Sequence, residues 1–152
     1  MKPADLSYSS AACVCGRLRR AARALTQRYD DTMAPCGLRI TQFSLLRTLF
    51  REGPQRITEL AALTLLDRTA LSRNLEPLVA QGYVKIVAGS DARTREVSLT
   101  RAGEGALQRA LPYWRQAQVE VAGTLGTRNL DALVELLGDV EKLHPEPDAR
   151  RD

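Results

Sequence analysis

The chain has 152 residues, 44% hydrophobic and 26% charged, the make-up of one globular domain with apolar residues enough for a single core. No apolar run approaches the ~20 residues that span a bilayer, and no basic-then-apolar leader opens the chain, so the expected location is cytoplasmic. A formal net charge of +4 is compatible with a polyanion partner without arguing for one, and three cysteines are too few, and odd in number, for a disulfide framework.

In chain order, the first periodic stretch runs from Ser9 to Ala34. Leu18, Ala22, Leu25, Tyr29 and Met33 recur at spacings of four and three, one stripe of a long helix that Pro35 ends. Arg17, Arg19, Arg20, Arg23 and Arg28 crowd much of the rest of its surface. Such a run reads either as nucleic-acid contact or, more commonly, as a solvated or inter-subunit face. Cys13-Val14-Cys15 is CxC, not CxxC, and the one histidine, His144, lies in a polar tail, so no zinc ligand set is present and no metal or cofactor is expected. The thiols are expected to be reduced, with Cys36 about 30 Å from Cys15 along a straight helix, too far for a bridge within the chain.

A second helix fits Thr41 to Glu52, capped by Thr41, with Phe43, Leu46 and Phe50 facing inward and Gly53-Pro54 stopping it. Thr58 then caps a short third helix carrying Leu60, Leu63 and Leu66. The fourth, Asp67 to Gly82, has two faces. Leu71, Leu75 and Leu78 make an apolar stripe for a core, and Thr69, Ser72, Arg73 and Glu76 a polar one, with Arg68 and Asn74 beside it. Asp67 is the expected N-cap and Gly82 the expected stop. Pro77 predicts a bend near Arg73 or a looser last turn. Two short helices tightly joined, the second with a polar outer face, make a helix-turn-helix.

Tyr83 to Val87 reads as a strand, 88–91 as a turn, and Arg95 to Leu99 as a second strand with Val97 and Leu99 inward. Arg93 and Arg95 fall near the hairpin tip, so the outline is a winged helix-turn-helix. Thr100 caps a helix to about Leu125 carrying Leu107, Leu111, Trp114 and Val121, with Pro112 expected to kink it. After Gly126-Thr127 a last helix, Leu130 to Leu143, aligns Leu133, Leu137 and Val140. The fold class is mainly α (α+β). It is one domain over 1–152, with the winged helix-turn-helix at 37–100, dimerisation helices at 5–36 and 101–144, and a flexible tail at 145–152. The terminal helices hold more apolar surface than the small winged part can cover, which argues for a homodimer; a monomer wrapped by its own ends is the alternative. No converging catalytic set is present, so the chain is not read as an enzyme.

These elements, with Thr41-Gln42-Phe43, Ile57-Thr58-Glu59-Leu60-Ala61, Gly82-Tyr83-Val84 and the wing Ser90-Asp91-Ala92-Arg93-Thr94-Arg95 leading into Val97-Ser98-Leu99-Thr100-Arg101-Ala102-Gly103, resemble the MarR family of bacterial transcriptional regulators over nearly the whole chain. The resemblance implies a homodimer that binds double-stranded, pseudo-palindromic DNA, usually as a repressor, and is released by a small ligand or by thiol oxidation. It also implies association with the nucleoid when bound.

Arg93 would enter the minor groove, and Asp91 would both hold it extended and form the turn. Arg73 is the first choice for a base contact, with a phosphate contact as its competitor. Arg68, Thr69 and Ser72 would reach bases or phosphates, with Asn74 beside them, and Arg95 and Arg101 would meet phosphates or solvent.

Two release signals stay open. Aligned without gaps on the organic-hydroperoxide-sensing branch and anchored on Gln42, the chain places Cys15 at the reactive cysteine and Tyr29 at a partner tyrosine, while Arg19 and Ile40 replace further tyrosines. Cys15, with Cys13 beside it, is therefore the candidate redox residue. The other signal is an aromatic or amphipathic ligand between the dimerisation helices and the winged part, where Tyr29, Phe43 and Trp114 would contribute; core packing explains those rings equally well. A winged helix that binds protein and not DNA is the reading from another class.

Overall fold

Within the helix Arg68–Ala80, burial follows the leucines. In the computed structural model, which describes residues 13–89, 91 and 93–144, the chain forms α1 (Val14–Met33), a tight 3-10 turn (Ala34–Cys36), α2 (Ile40–Glu52), β1 (Gln55–Arg56), α3 (Ile57–Thr64), α4 (Arg68–Ala80), β2 (Val84–Ala88), β3 (Arg95–Leu99), α5 (Arg101–Leu125) and α6 (Thr127–Glu141). Leu71, Leu75 and Leu78 of α4 are fully buried with Met33, Phe43, Leu46, Leu49 and Leu60. Each such side chain is worth roughly 1.5–3 kcal/mol of apolar burial. The core therefore sits where α2 meets α1, α4, α5 and β3. The expected tail at 145–152 and the first residues of the expected N-terminal helix lie outside the described residues.

The antiparallel sheet has the order β1-β3-β2, with Val84 opposite Leu99, Ala88 opposite Arg95 and Arg56 opposite Glu96. Val97 is buried and Leu99 half-buried, as the alternation predicts, but Ser98 is buried as well. β1 was not expected: two residues carry no alternation to read, and only pairing with β3 makes them a strand.

Several local expectations need correction. Phe50 is 61% exposed and Leu49 takes its place inside, because α2 is surrounded and buries the 43-46-49 stripe together with Leu45. Leu63 is 49% exposed; α3 buries Leu60 as expected, and Ala61 takes the place of Leu63. Neither Thr41 nor Thr58 is a cap. The caps are Arg39 and Arg56, whose backbone N–H groups donate to Gln42 Oε1 at 2.9 Å and Glu59 Oε2 at 3.0 Å, while Asp30 Oδ1 accepts from Ile40 N at 2.7 Å. Cys13 lies ahead of α1 as its cap, its sulfur accepting from Gly16 N at 3.5 Å. The first wing strand starts and ends one residue later than expected, and α6 starts at Thr127. Both proline-bearing helices continue past the ring, α4 to Ala80 and α5 to Leu125.

The start of α5 is locked to the end of the α4–β2 turn. The Thr100 hydroxyl lies 2.6 Å from the Gly82 carbonyl oxygen and accepts from Gly103 N at 3.1 Å, while Thr100 N–H donates to the Tyr83 carbonyl at 3.0 Å. A Cβ on Gly103 would come within 2.1 Å of that Tyr83 oxygen, so only glycine permits the approach. At its other half α5 is tied to α1. Tyr29 donates to Gln118, Thr32 to Glu120 at 3.2 Å, and Arg28 pairs with Glu120 at 2.9 Å. α6 buries none of its residues completely.

Candidate nucleic-acid interface

α4 owes its placement to the turn before it. Leu65 closes α3 in the left-handed region at φ 52, where its N–H bonds back to Ala62, and the Leu66 N–H to Ala61. That conformation costs a leucine roughly 1–2 kcal/mol, offset as Leu66 packs on the core. Asp67 then caps α4, its Oδ1 accepting from Ala70 N at 2.8 Å. With the leucines turned inward, Arg68, Thr69, Ser72 and Arg73 are all exposed on the outer face, and Asn74 is half-buried at its edge. Five expected contact residues thus share one helix, four of them fully presented.

The wing follows at once, because Gly82, at φ 71, turns the chain from α4 into β2. Its loop is closed by Gly89 N donating to the Thr94 carbonyl at 2.8 Å, and by Thr94 N–H and hydroxyl donating to the Asp91 carbonyl at 2.9 and 2.8 Å. Asp91 Oδ1 accepts from the backbone N–H of Arg93 at 3.1 Å, so its carboxylate shapes the turn through the main chain. Arg93 and Arg95 are exposed. Among the described residues the ion pairs are Arg28–Glu120, Arg51–Glu52 and Lys142–Asp139. Arg68, Arg73, Arg93 and Arg95 belong to none of them, so four guanidinium groups on adjacent elements keep their charge for an outside partner. Phosphate oxygens are acceptors of the right charge and geometry.

Arg56 was passed over in the sequence. It is exposed at the cap of α3 and pairs across β1–β3 with Glu96, placing a further cation at the foot of the wing. The signal available was an arginine directly before the Ile57-Thr58-Glu59-Leu60 helix start.

The rings expected around a ligand are partly brought together. Phe43 is buried and stacks on half-buried Trp114 with centroids 5.6 Å apart, and the Arg47 guanidinium lies 4.9 Å from the same indole. Tyr29 packs on this core and points its hydroxyl at Gln118, and burial pushes its phenol above the ordinary value. Cys13 and Cys15 are exposed at the start of α1, and Cys36 is partly buried beyond its far end. Among the described residues no group of three His, Cys, Asp or Glu side chains could hold a metal ion, and no helix is long and apolar enough to cross a membrane.

A model of the MarR family matches residues 37–94, from the turn before α2 into the wing loop. An HTH-type transcriptional regulator of Bacillus cereus is 34% identical over 96 residues, 63% of this chain and 64% of that relative, so the chain spans just under two thirds of its length. The transcriptional regulator MosR of Mycobacterium tuberculosis, solved in complex with DNA, is 40% identical at a TM-score of 0.75, over 88% of this chain and 99% of MosR. A MarR variant of Escherichia coli, solved with operator DNA, shares the fold at a TM-score of 0.76 with 22% identity, over 86% of this chain and 95% of that one. With a family model over the helix-turn-helix and into the wing loop, and 40% identity to MosR over 88% of this chain, the chain belongs to the MarR family of winged helix-turn-helix transcriptional regulators.

Proposed function

We propose that this protein is a homodimeric repressor that binds pseudo-palindromic double-stranded DNA, laying α4 of each subunit in a major groove and its wing in the flanking minor groove. The observation that carries the reading is the set of four exposed guanidinium groups, Arg68, Arg73, Arg93 and Arg95, outside every ion pair among the described residues and spread over recognition helix and wing. Arg68 and Thr69 lie on the first turn of α4, where the helix dipole adds to the pull on phosphate. Arg73, one turn further, reaches a base edge, and Arg93 follows the potential of a narrow minor groove. In the dimer the two α4 helices sit about 34–36 Å apart, one turn of duplex.

The test is fluorescence anisotropy with the duplex upstream of the protein's own gene, against random duplex of equal length, across a salt series. The expected result is preference for the upstream duplex and a logarithmic salt slope of about −0.9 for each phosphate neutralised. Binding to neither duplex, with a protein partner captured by the wing face, would overturn the reading in favour of an interaction module.

Release by a small aromatic or amphipathic molecule fits the half-buried Trp114 of α5, stacked on Phe43 of α2 with Arg47 over its ring. A second reading is favoured by the exposure of Cys15, with exposed Arg19 one turn along. In it the Cys15 thiolate takes the terminal oxygen of an organic hydroperoxide, becoming a sulfenate as the alcohol leaves. If so, Cys15→Ser should keep the DNA affinity of the wild type and lose its release by cumene hydroperoxide; equal release from both proteins would remove Cys15 from the signal.

A further inference from the structure

Leu65 holds a backbone conformation that costs a leucine, and its own side chain gains nothing from the core. Among the described residues it is the one non-glycine with positive φ, at φ 52 and ψ 31. Elsewhere the chain puts glycine at such positions, Gly37, Gly53, Gly82 and Gly126. In the left-handed region a Cβ crowds the following carbonyl oxygen, a cost that glycine escapes and asparagine lessens. The inward Leu66 accounts for the turn, yet glycine at 65 would make the same turn with Leu66 still packed. The Leu65 side chain is 44% exposed and stands apart from the core and from the residues packed against it.

An exposed leucine alone needs no explanation, and Leu63, on ordinary helical backbone, is one such. An exposed leucine held at a cost is different. Strain of this kind concentrates at ligand clamps and other functional sites, where the side chain is needed in that place.

The position of Leu65 selects the ligand. Between it and exposed Arg68 stand only Leu66, turned to the core, and Asp67, whose Oδ1 accepts from Ala70 N. Three peptide links keep the Cα atoms of Leu65 and Arg68 within about 11 Å of each other. The leucine therefore borders the first turn of α4, where Arg68 and Thr69 are exposed. It carries no donor or acceptor, so phosphates and polar base edges offer it nothing. The apolar group that a major groove presents is the thymine methyl.

We propose that Leu65 is a specificity residue that packs on a thymine methyl group in each half-site. This deepens the DNA-binding reading given above and rests on it. Leu65 adds an apolar contact that discriminates thymine from cytosine, beside the hydrogen bonds and charges supplied by α4 and the wing. The backbone cost is carried in the free protein because the side chain is used in the complex.

The experiment takes the full-length chain and the duplex upstream of its own gene, with each thymine in turn replaced by deoxyuridine, which deletes the methyl and keeps the pairing. Wild type, Leu65→Asn and Leu65→Met are compared by anisotropy at one salt concentration, with thermal unfolding alongside. Wild type should lose about fourfold in affinity at one thymine of each half-site, the worth of one buried methyl. Leu65→Asn should bind the unmodified duplex more weakly and ignore uridine at that position, a coupling that the double-mutant cycle isolates. It should also melt about 2–4 °C higher, because asparagine eases the left-handed backbone. Leu65→Met keeps both the strain and the apolar reach, and should keep the uridine response.

A wild type that prefers the upstream duplex but is indifferent to uridine at every thymine would overturn the contact and leave the DNA-binding reading standing. So would a Leu65→Asn protein that keeps the full wild-type response. Unchanged affinity of Leu65→Asn for the unmodified duplex would overturn it as well, leaving the exposed leucine to a protein partner, and a melting temperature no higher than wild type would overturn the strain argument beneath it. A wild type without preference for the upstream duplex would overturn the proposed function, and this contact with it.

Discussion

Arg93 is held by its main chain and left free at its tip. Asp91 Oδ1 accepts from its backbone N–H, and the exposed side chain belongs to none of the ion pairs among the described residues. Arg93→Ala should therefore weaken binding to the operator duplex at matched salt while leaving the melting temperature and the dimer unchanged. Anisotropy beside thermal unfolding checks this. Arg73 makes a sharper prediction. If it grips a base, Arg73→Ala should cost about 1–3 kcal/mol and relax preference at one position of each half-site, read out by binding to a library of singly substituted duplexes. A uniform loss over all sequences would mark a phosphate contact. Tyr29 is a residue of the scaffold. Burial raises its phenol above the ordinary value of 10.0, so the folded state keeps a proton that the unfolded chain gives up. That stabilisation is complete below pH ~10 and is lost as pH rises through the folded value. Tyr29→Phe, missing the bond to Gln118, should lose about 0.5–1.5 kcal/mol near pH 7. Urea titrations above pH ~10 should show the gap to wild type closing.

At the scale of elements, what could be read in advance depended on how local the determinant was. The two faces of α4 were legible because Leu71, Leu75 and Leu78 repeat at helical spacing and Asp67 and Gly82 mark its ends within the same stretch. The wing was legible because Val97 and Leu99 alternate and a turn sequence separates the strands. β1 was not, since its two residues become a strand only by pairing with β3, about forty positions away. The start of α2 was misplaced for the same reason. Asp30, ten residues upstream, accepts from Ile40 N, and no local pattern announces that bond. Phe50 against Leu49 is a choice between two stripes that a 3.6-residue period admits equally, and the neighbours of α2 decided it. For the site, the arginines of α4 and the wing were visible by type and spacing, whereas Arg56 entered only when β1 brought it beside the wing. The junction of α4, β2 and α5 gives the prediction proper to this scale. Thr100→Val removes both the cap on Gly103 N and the contact with the Gly82 carbonyl. It should lower stability by about 1–2 kcal/mol, measured by denaturant midpoint, and widen the distribution of α4 positions seen by spin labels on α4 and α5.

At the scale of the whole molecule, the described chain is a small reading module joined to long helices that lack a core of their own. Among the described residues the terminal helices hold half of the exposed large apolar side chains, Val14, Val119, Val134 and Leu136 included. The proposed dimer would cover that surface, and its two-fold axis would set how far apart the two α4 helices stand. The helix that connects these tasks is α5. It has 25 residues, about 37 Å at 1.5 Å per residue, clamped to the reading module by Thr100 and Gly103 at one end and laced to α1 through Gln118 and Glu120 toward the other. A rod with no slack at its near joint behaves as a lever. A tilt of about 5° at the far end displaces the near end by about 3 Å over that length. In the proposed dimer both rods tilt together, and their ends separate by twice that, a sizeable fraction of a groove width on a duplex whose repeat is fixed. The protein would then switch as a pair of calipers does, with every contact surface intact and only the span between its points no longer fitting.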